Sequence, residues 1–202
     1  MMQLFDNPAS PFCRKVMVTL RETGQLKDVE ILHAVGHALA PEKMPTAQNP
    51  LGKIPTLVRA DGPAMYDSRV ICRFLDDRAK AGLYPERSIW DILTLEATAD
   101  GIMAAAVLMV YEFRTRPEDK QFPDMVEGQW AKVTRALDAV EERWMGHLAG
   151  PLNMGQIAMG CALGYLDFRH ADRDWRQGRN SLTDWYAKFS QTESMKATEP
   201  SA

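Results

Sequence analysis

The sequence predicts an α+β protein: a small mixed-sheet domain of β-α-β then β-β-α order over residues 1–80, followed by an all-helical bundle over 88–202. Three observations carry this. Short apolar runs of strand length alternate with helical stretches before residue 80. After Pro85 no strand-like run remains. Apolar residues there recur at steps of three and four, the period of one helix face. Residues 81–87 read as the linker.

Met2 to Phe5 is the first apolar run, and Asn7, Pro8 and Ser10 break it. Pro11 opens a helix carrying Val16 and Leu20, with Gly24 placed as its C-terminal cap. Val29 to Leu32 reads as a second strand. Thr56 to Val58 and Ala64 to Tyr66 read as a hairpin around Asp61-Gly62. Ser68 starts a helix through Val70, Ile71, Phe74 and Leu75, which Gly82 is expected to stop. Strand, helix, strand requires a parallel crossover and the hairpin an antiparallel pair, so the sheet is mixed.

In the second half, Leu95, Ala99, Ile102, Ala106, Met109 and Phe113 form one apolar stripe. Val126, Trp130, Val133, Leu137, Val140 and Trp144 form another, the pattern of packed helices. The polar stretch 114–122, with Pro117, is the turn between them. Asn153 and Gln156 read as a reciprocal capping pair before Ile157, Cys161 and Leu166. Leu182, Trp185, Tyr186 and Phe189 make a last helix.

Composition narrows the function classes. The chain has 202 residues, 46% hydrophobic and 25% charged, with a formal net charge of -3. That balance gives no electrostatic reason to expect nucleic acid or an anionic membrane as partner. The start reads as too short and polar for a signal peptide, and no apolar run is expected to reach membrane length. Cys13, Cys72 and Cys161 are sparse and far apart, which suits a reducing cytoplasm. The histidines do not group with them at ligand spacing, so no metal site is expected.

Three segments carry candidate chemistry: Ser10-Pro11-Phe12-Cys13, Asn49-Pro50-Leu51-Gly52-Lys53-Ile54-Pro55, and Asp67-Ser68. Proline is favoured at the first helical position, which makes Ser10 an N-cap candidate. A thiolate beside it would meet a hydroxyl donor and the positive end of the helix dipole. A thiol of pKa about 8.5 is only a few per cent ionised at neutral pH, and lowering it by about two units takes roughly 2.7 kcal/mol. Taken alone, Ser10 reads equally as a plain cap. Cys13 holds the second place of a C-x-x-C pair whose first place is Ser10, so no dithiol cycle can run in this segment. It reads as a buried helical cysteine.

The order and spacing of these segments, with Gly155 to Arg169 (GQIAMGCALGYLDFR), resemble the glutathione transferase family over nearly the whole chain. The match is nearest to its cytosolic, bacterial-like, serine-type branch. The resemblance implies a thioredoxin-like first domain that binds glutathione and a helical domain that supplies the pocket for an electrophile. It implies Ser10 as thiolate activator, since Phe5, Asp6 and Asn7 offer no phenol. It implies a cis Ile54-Pro55 bond that offers the Ile54 backbone to glutathione in strand fashion. Lys53 would meet the glycyl carboxylate, Asp67 the γ-glutamyl ammonium and Ser68 its carboxylate. Phe12 would border glutathione and, with Met103, Val107 and Tyr111, line the electrophile pocket. Plainer readings stay open for each: a strand-entry proline, a solvated lysine, an Asp-Ser cap, core methionine and aromatics. The family's usual capping-box aspartate is replaced here by Gln156.

The activity so implied is a glutathione S-transferase that directs the glutathione thiolate onto a small hydrophobic electrophile, as in detoxification. Two alternatives remain: a catalytically silent glutathione-binding or regulatory protein, and a glutathione-dependent disulfide reductase or peroxidase. The resemblance also implies a two-fold homodimer in which the first domain of each subunit faces the helical domain of the other. Leu93, Met103, Val107 and Leu108 are apolar residues beyond the main stripe of the Ile89 to Phe113 helix, and Arg69 and Arg73 have Glu96 and Asp100 as candidate partners across a two-fold contact.

Overall fold

The computed structural model describes residues 1–201. They divide into two compact units, Met1–Glu86 together with the chain from Ala197, and Arg87–Lys196. The first unit contains β1 (Met2–Asp6), α1 (Pro11–Glu22), β2 (Val29–His33), β3 (Thr56–Val58) and α2 (Ser68–Ala79). The sheet order is β2-β1-β3. β1 runs parallel to β2, from Met2 opposite Val29 to Asp6 opposite His33, and antiparallel to β3, with Phe5 opposite Thr56. This is the mixed sheet the sequence predicts. The second arm of the expected hairpin shrinks to one bridge, Leu57 to Met65. Pro63 lacks an N–H for the ladder and Asp67 already caps the next helix, so the arm has room for a single pair.

Leu4, Val16, Leu20, Leu57, Ile71 and Leu75 have no exposed surface and form the core of this unit. Gly24 (φ +67) follows the last turn of α1 in the left-handed conformation expected of it. The end of α2 differs from expectation. Lys80 takes the left-handed cap position (φ 52) two residues before Gly82, which has a positive φ of its own (φ 76). Asp76 then captures the departing chain, its carboxylate accepting the N–H groups of Leu83 (2.8 Å) and Tyr84 (3.3 Å).

The second unit holds α3 (Ile89–Thr115), α4 (Pro123–Arg143), α5 (Met145–Leu148), α6 (Met154–Arg169), α7 (Asn180–Phe189) and α8 (Glu193–Lys196). Every residue of α6 from Met154 to Leu166 is buried, so α6 is its central helix. α3 runs beside it in the same direction: Gly155 lies against Leu95, and one helical stretch later His170 Nε2 is 3.0 Å from the Ala106 carbonyl. The α3 stripe is buried from Leu95 to Met109, while Phe113 is exposed. On α4, Val126, Val133, Leu137 and Val140 are buried, whereas Trp130 and Trp144 keep partial exposure.

Three further expectations are corrected here. The Asn153–Gln156 pair is not reciprocal. Asn153 Oδ1 accepts the Gln156 N–H (3.3 Å), but the Gln156 amide donates to the carbonyls of His147, Leu148 and Gly150 (3.3, 3.1 and 2.9 Å), satisfying the orphan end of α5. Glu96 is buried, so it is no surface acid, and Arg69 already binds Asp67 of its own chain at 3.0 Å. Finally, the stretch Glu86–Thr115 is long and apolar enough to cross a membrane, contrary to the reading that no run reaches that length; half of its most apolar window is buried inside the protein. A core helix packed between two others needs the same composition.

Two polar anchors shape the end of this unit. Glu141 of α4 caps α7, accepting the N–H groups of Ser181 (3.0 Å) and Leu182 (2.7 Å). Asp167 accepts from Trp175 Nε1 (2.7 Å) and from both terminal nitrogens of Arg176 (2.6 and 2.7 Å), holding the chain after α6.

Candidate functional site

The strand register brings the three sequence segments to one end of the sheet. Continuing the β1–β3 pairing by one step sets Asp6 level with Pro55. Continuing the Leu57–Met65 bridge in the same direction sets Asp67 level with Pro55 as well. The turn after β1, the residues before β3 and the start of α2 therefore meet at a common edge. Two helix N-termini, those of α1 and α2, open there. Each carries backbone N–H groups with no partner inside its helix and a positive dipole end.

Ser10 is the N-cap of α1, and its Oγ accepts the Cys13 N–H at 3.3 Å. That bond uses a lone pair of the oxygen, and the Ser10 side chain also hydrogen-bonds the Cys13 thiol; a hydroxyl can turn its one hydrogen to another acceptor. The turn that holds Ser10 is built by Asn7. Its Nδ2 donates to the Ala34 carbonyl (3.0 Å), its Oδ1 accepts the Ala9 N–H (2.9 Å), and its carbonyl accepts the Ser10 N–H (2.9 Å). Phe12 is half-exposed in the first turn.

The second segment is shaped by Asn49, which is 1% exposed. Its Nδ2 donates to the Lys53 carbonyl (3.0 Å) and to Thr56 Oγ1 (3.1 Å), and its Oδ1 accepts the Leu51 N–H (3.0 Å). The chain reverses between the Asn49 carbonyl and the Gly52 N–H (2.8 Å), with Gly52 at φ +58, a conformation that favours glycine. Ile54–Pro55 is cis. Lys53 is exposed, Ile54 half-exposed and Pro55 buried. The Ile54 backbone N–H and C=O have no hydrogen-bond partner among the described residues.

Asp67 caps α2, accepting the Arg69 N–H at 3.1 Å and an Arg69 guanidinium nitrogen at 3.0 Å. Burial alone would raise its pKa. The Arg69 hydrogen bonds and charge, with a smaller contribution from Lys15, outweigh that and hold the carboxyl below the usual carboxylate range. Ser68, the first residue of α2, is 2% exposed and sits deeper than its neighbour.

Behind Ser10 lies a buried pair. Cys13 is fully buried and Asp6 is 6% exposed. Burial first, then the neighbouring Asp6 charge, pushes the Cys13 thiol far above its ordinary value. Burial likewise raises the Asp6 carboxyl, against hydrogen bonding from Cys13. Asp6 Oδ1 has no partner. A thiol held in this way stays protonated and is a poor nucleophile.

In the second unit, Met103 has no exposed surface, whereas Val107 and Tyr111 are half-exposed on the same helix. Among the described residues no group of three His, Cys, Asp or Glu side chains comes together as a metal-ligand set.

Sequence reasoning found the three segments but missed what holds them. Asn7 reads only as a strand breaker and Asn49 only as the first residue of a motif segment, because a side chain that builds a turn leaves no periodic signature. The one available signal is local: Asx residues fold back onto nearby backbone.

Residues 4–82 match the family model for the glutathione S-transferase N-terminal domain, and residues 102–188 match the model for the C-terminal domain. A glutathione transferase family member from Pseudomonas fluorescens Pf-5, crystallised with bound glutathione, is 44% identical, covers 100% of both chains and superposes with a TM-score of 0.97. The same protein has been crystallised with S-(propanoic acid)-glutathione, with a TM-score of 0.92. A glutathione S-transferase from Methylobacillus flagellatus KT, with glutathione bound, is 36% identical over 100% of both chains, with a TM-score of 0.88. The uncharacterized GST-like protein YibF of Escherichia coli K12 is 32% identical over 210 residues, 98% of each chain.

Proposed function

Because the chain belongs to the glutathione S-transferase family, we propose that it is a cytoplasmic enzyme that binds glutathione in its first unit and transfers the glutathionyl group to an electrophile. The observation that carries this reading is Ser10: an N-cap hydroxyl whose oxygen accepts the Cys13 N–H and whose hydrogen can turn from the Cys13 thiol to donate to a thiolate. The helix dipole adds to the same effect. The sulfur then forms a C–S bond. Either a leaving group departs with its electron pair, or the pair of an activated double bond moves to the adjacent carbon, which takes up the proton the thiol released.

Glutathione lies along the edge where the three segments meet. The unpartnered backbone of Ile54, next to Pro55, pairs with its cysteinyl unit in strand fashion. Lys53 faces the glycyl carboxylate as a point charge. The start of α2 receives the γ-glutamyl group, Ser68 through its N–H and hydroxyl and Asp67 through its carboxylate. Phe12 borders the thiol. Val107 and Tyr111 contact the electrophile, with Met103 packed beneath them. The bound ligands of the Pseudomonas and Methylobacillus relatives support this ligand class.

A homodimer completes the reading. α3 presents an exposed row at steps of four and three: Trp90, Thr94, Ala97, Gly101, Ala104 and Leu108. Its small centre permits close approach of a second helix, with Trp90 and Leu108 at its ends.

Titration calorimetry with glutathione, followed by a conjugation assay over an electrophile panel, tests the proposal. Binding with turnover supports it. Binding without turnover favours a silent binding protein, and no binding refutes both. The disulfide reductase route has against it the full burial of Cys13.

A further inference from the structure

The turn between β1 and α1 brings three hydrogen-bonding side chains into line. Asp6 ends β1, Ser10 caps α1, and Cys13 stands in the first turn of α1. The Cys13 side chain hydrogen-bonds Ser10 on one side and Asp6 on the other. Of the three only Ser10 is partly exposed; Asp6 is 6% exposed and Cys13 has no exposed surface. The row therefore runs inward from the Ser10 hydroxyl and ends on a buried carboxyl.

That carboxyl is balanced between its two forms. Its Oδ1 has no hydrogen-bond partner, and burial raises its pKa. Against burial stand the Cys13 thiol, the charge of His33 and the Asn7 N–H, which favour the anion. His33 is the exposed residue opposite Asp6 on β2. On the other side of β1, Pro55 and Thr56 carry no ionisable group.

Counting hydrogens fixes the direction of each bond. With Asp6 ionised, the Cys13 S–H donates to the carboxylate and the Ser10 O–H to the Cys13 sulfur. The Ser10 oxygen then meets an arriving thiol as an acceptor. With Asp6 neutral, both bonds reverse: the Asp6 O–H donates to the Cys13 sulfur and the Cys13 S–H to Ser10 Oγ. The Ser10 oxygen then accepts twice, from that S–H and from the Cys13 N–H, and its own hydrogen points outward. Only this second arrangement gives a thiolate a donor with no buried bond left unmade.

We propose that Asp6 takes up the proton of the glutathione thiol by way of Ser10 and Cys13. This rests on the reading above that Ser10 meets the glutathione sulfur. The thiol hydrogen passes to Ser10 Oγ, the Ser10 hydrogen to the Cys13 sulfur, and the Cys13 hydrogen to the Asp6 carboxylate. Ser10 and Cys13 each gain one hydrogen and lose one, so they end as hydroxyl and thiol. The negative charge moves from Asp6 to the glutathione sulfur, and no proton enters the solvent. Asp6 is a positioning residue in this scheme: it touches no substrate atom, but its proton turns the Ser10 hydroxyl outward. Asp6 and the thiol then titrate as a pair.

Two counts on the glutathione complex at neutral pH test this without turnover. Thiolate formed on binding is read from ultraviolet difference absorbance. Protons released are read by calorimetric titration with glutathione in buffers of different ionisation enthalpy. In the parent, thiolate is expected to form with little or no proton release. In Asp6→Asn, which keeps the shape but cannot take the proton, about one proton should appear in the buffer for each thiolate formed. His33→Gln is expected to behave as the parent, which excludes uptake by that ring. The infrared difference spectrum of the parent carries the test even if Asp6→Asn fails to fold: binding should bring up the carbonyl band of a protonated carboxyl. If the parent releases as many protons as it forms thiolates, if the shortfall survives in Asp6→Asn, or if no protonated carboxyl appears, this inference is overturned while glutathione binding and the Ser10 thiolate stand. If glutathione does not bind, or binds without forming thiolate, it falls together with the proposed function.

Discussion

Gly155 of α6 sits so close to Leu95 of α3 that a methyl group on its Cα would stand 2.9 Å from Leu95 Cδ2 and 3.1 Å from Asn153 Oδ1. The glycine sets how near the two central helices of the second unit approach. In an open helix, alanine in place of glycine stabilises by about 1 kcal/mol. Here the added methyl overlaps a buried side chain and the helix cap. Gly155→Ala is expected to destabilise by about 1–3 kcal/mol, the usual cost of overpacking, read from the urea unfolding midpoint. A midpoint equal to or above the parent would show that α3 and α6 are not so tightly apposed.

Much of this was legible in advance, and the failures have physical reasons. Alternating and helical apolar periods located all three strands and the long helices, since burial fixes those periods. Gly155 itself appears only as a residue of a motif, because close approach depends on the partner helix, which sequence spacing does not reveal. Lys80 displaced Gly82 as the stop of α2 because Asp76 reaches the N–H groups of Leu83 and Tyr84, a tertiary bond that overrides a local preference. Asn153 and Gln156 read as a capping pair; Asn153 does cap the helix, but the Gln156 amide serves the end of α5. The functional segments were visible as residue types in order. Their meeting at one sheet edge follows from the register of β3, and the supports from Asn7 and Asn49 emerged only with the fold.

Glu141 gives a pH-dependent prediction. Burial would raise its pKa, but the Leu182 and Ser181 N–H groups outweigh this and hold it below the ordinary carboxylate value. A depressed folded pKa means its stabilising contribution is fully present above the unfolded value of about 4.3 and is lost as pH falls through the lower folded value. Glu141→Gln is expected to cost about 0.5–1 kcal/mol at neutral pH, as for a weakened helix cap. The gap between parent and variant unfolding midpoints should close in acid. A gap independent of pH would contradict the ionic cap.

Cys13 is expected to be inert in the folded protein. It has no exposed surface, and burial with the nearby Asp6 charge keeps it protonated. Intact mass spectrometry after incubation with oxidised glutathione should show no adduct at Cys13 under native conditions and one after unfolding in urea. A native Cys13 adduct would revive the disulfide-reductase reading.

Gly101 tests the dimer without disturbing the core. A Cβ at this position meets nothing within 4 Å, so Gly101→Leu has room inside the subunit and improves helix propensity. Across a helix–helix contact between two copies the same side chain collides. Sedimentation at micromolar concentration is expected to give about twice the 22.7 kDa chain mass for the parent, and the single-chain mass for a still-folded variant. A parent that sediments as a single chain would contradict the dimer.

The central claim is that the Ser10 hydroxyl stabilises the glutathione thiolate, and the pH profile of kcat/KM in Ser10→Ala tests it most directly. Ser10 caps α1 through Cys13 N–H, so a stability loss of about 1 kcal/mol is expected and must be separated by checking that the variant is folded. The parent profile should turn on with an apparent pKa about two units below that of a free thiol. In Ser10→Ala the transition in kcat/KM for the electrophile, at saturating glutathione, should move up toward the free-thiol value, with the rate at neutral pH falling about 25-fold for the full shift of about two units as the thiolate fraction drops, while glutathione affinity stays nearly constant. A folded Ser10→Ala protein with an unshifted profile and unchanged kcat/KM would contradict the account.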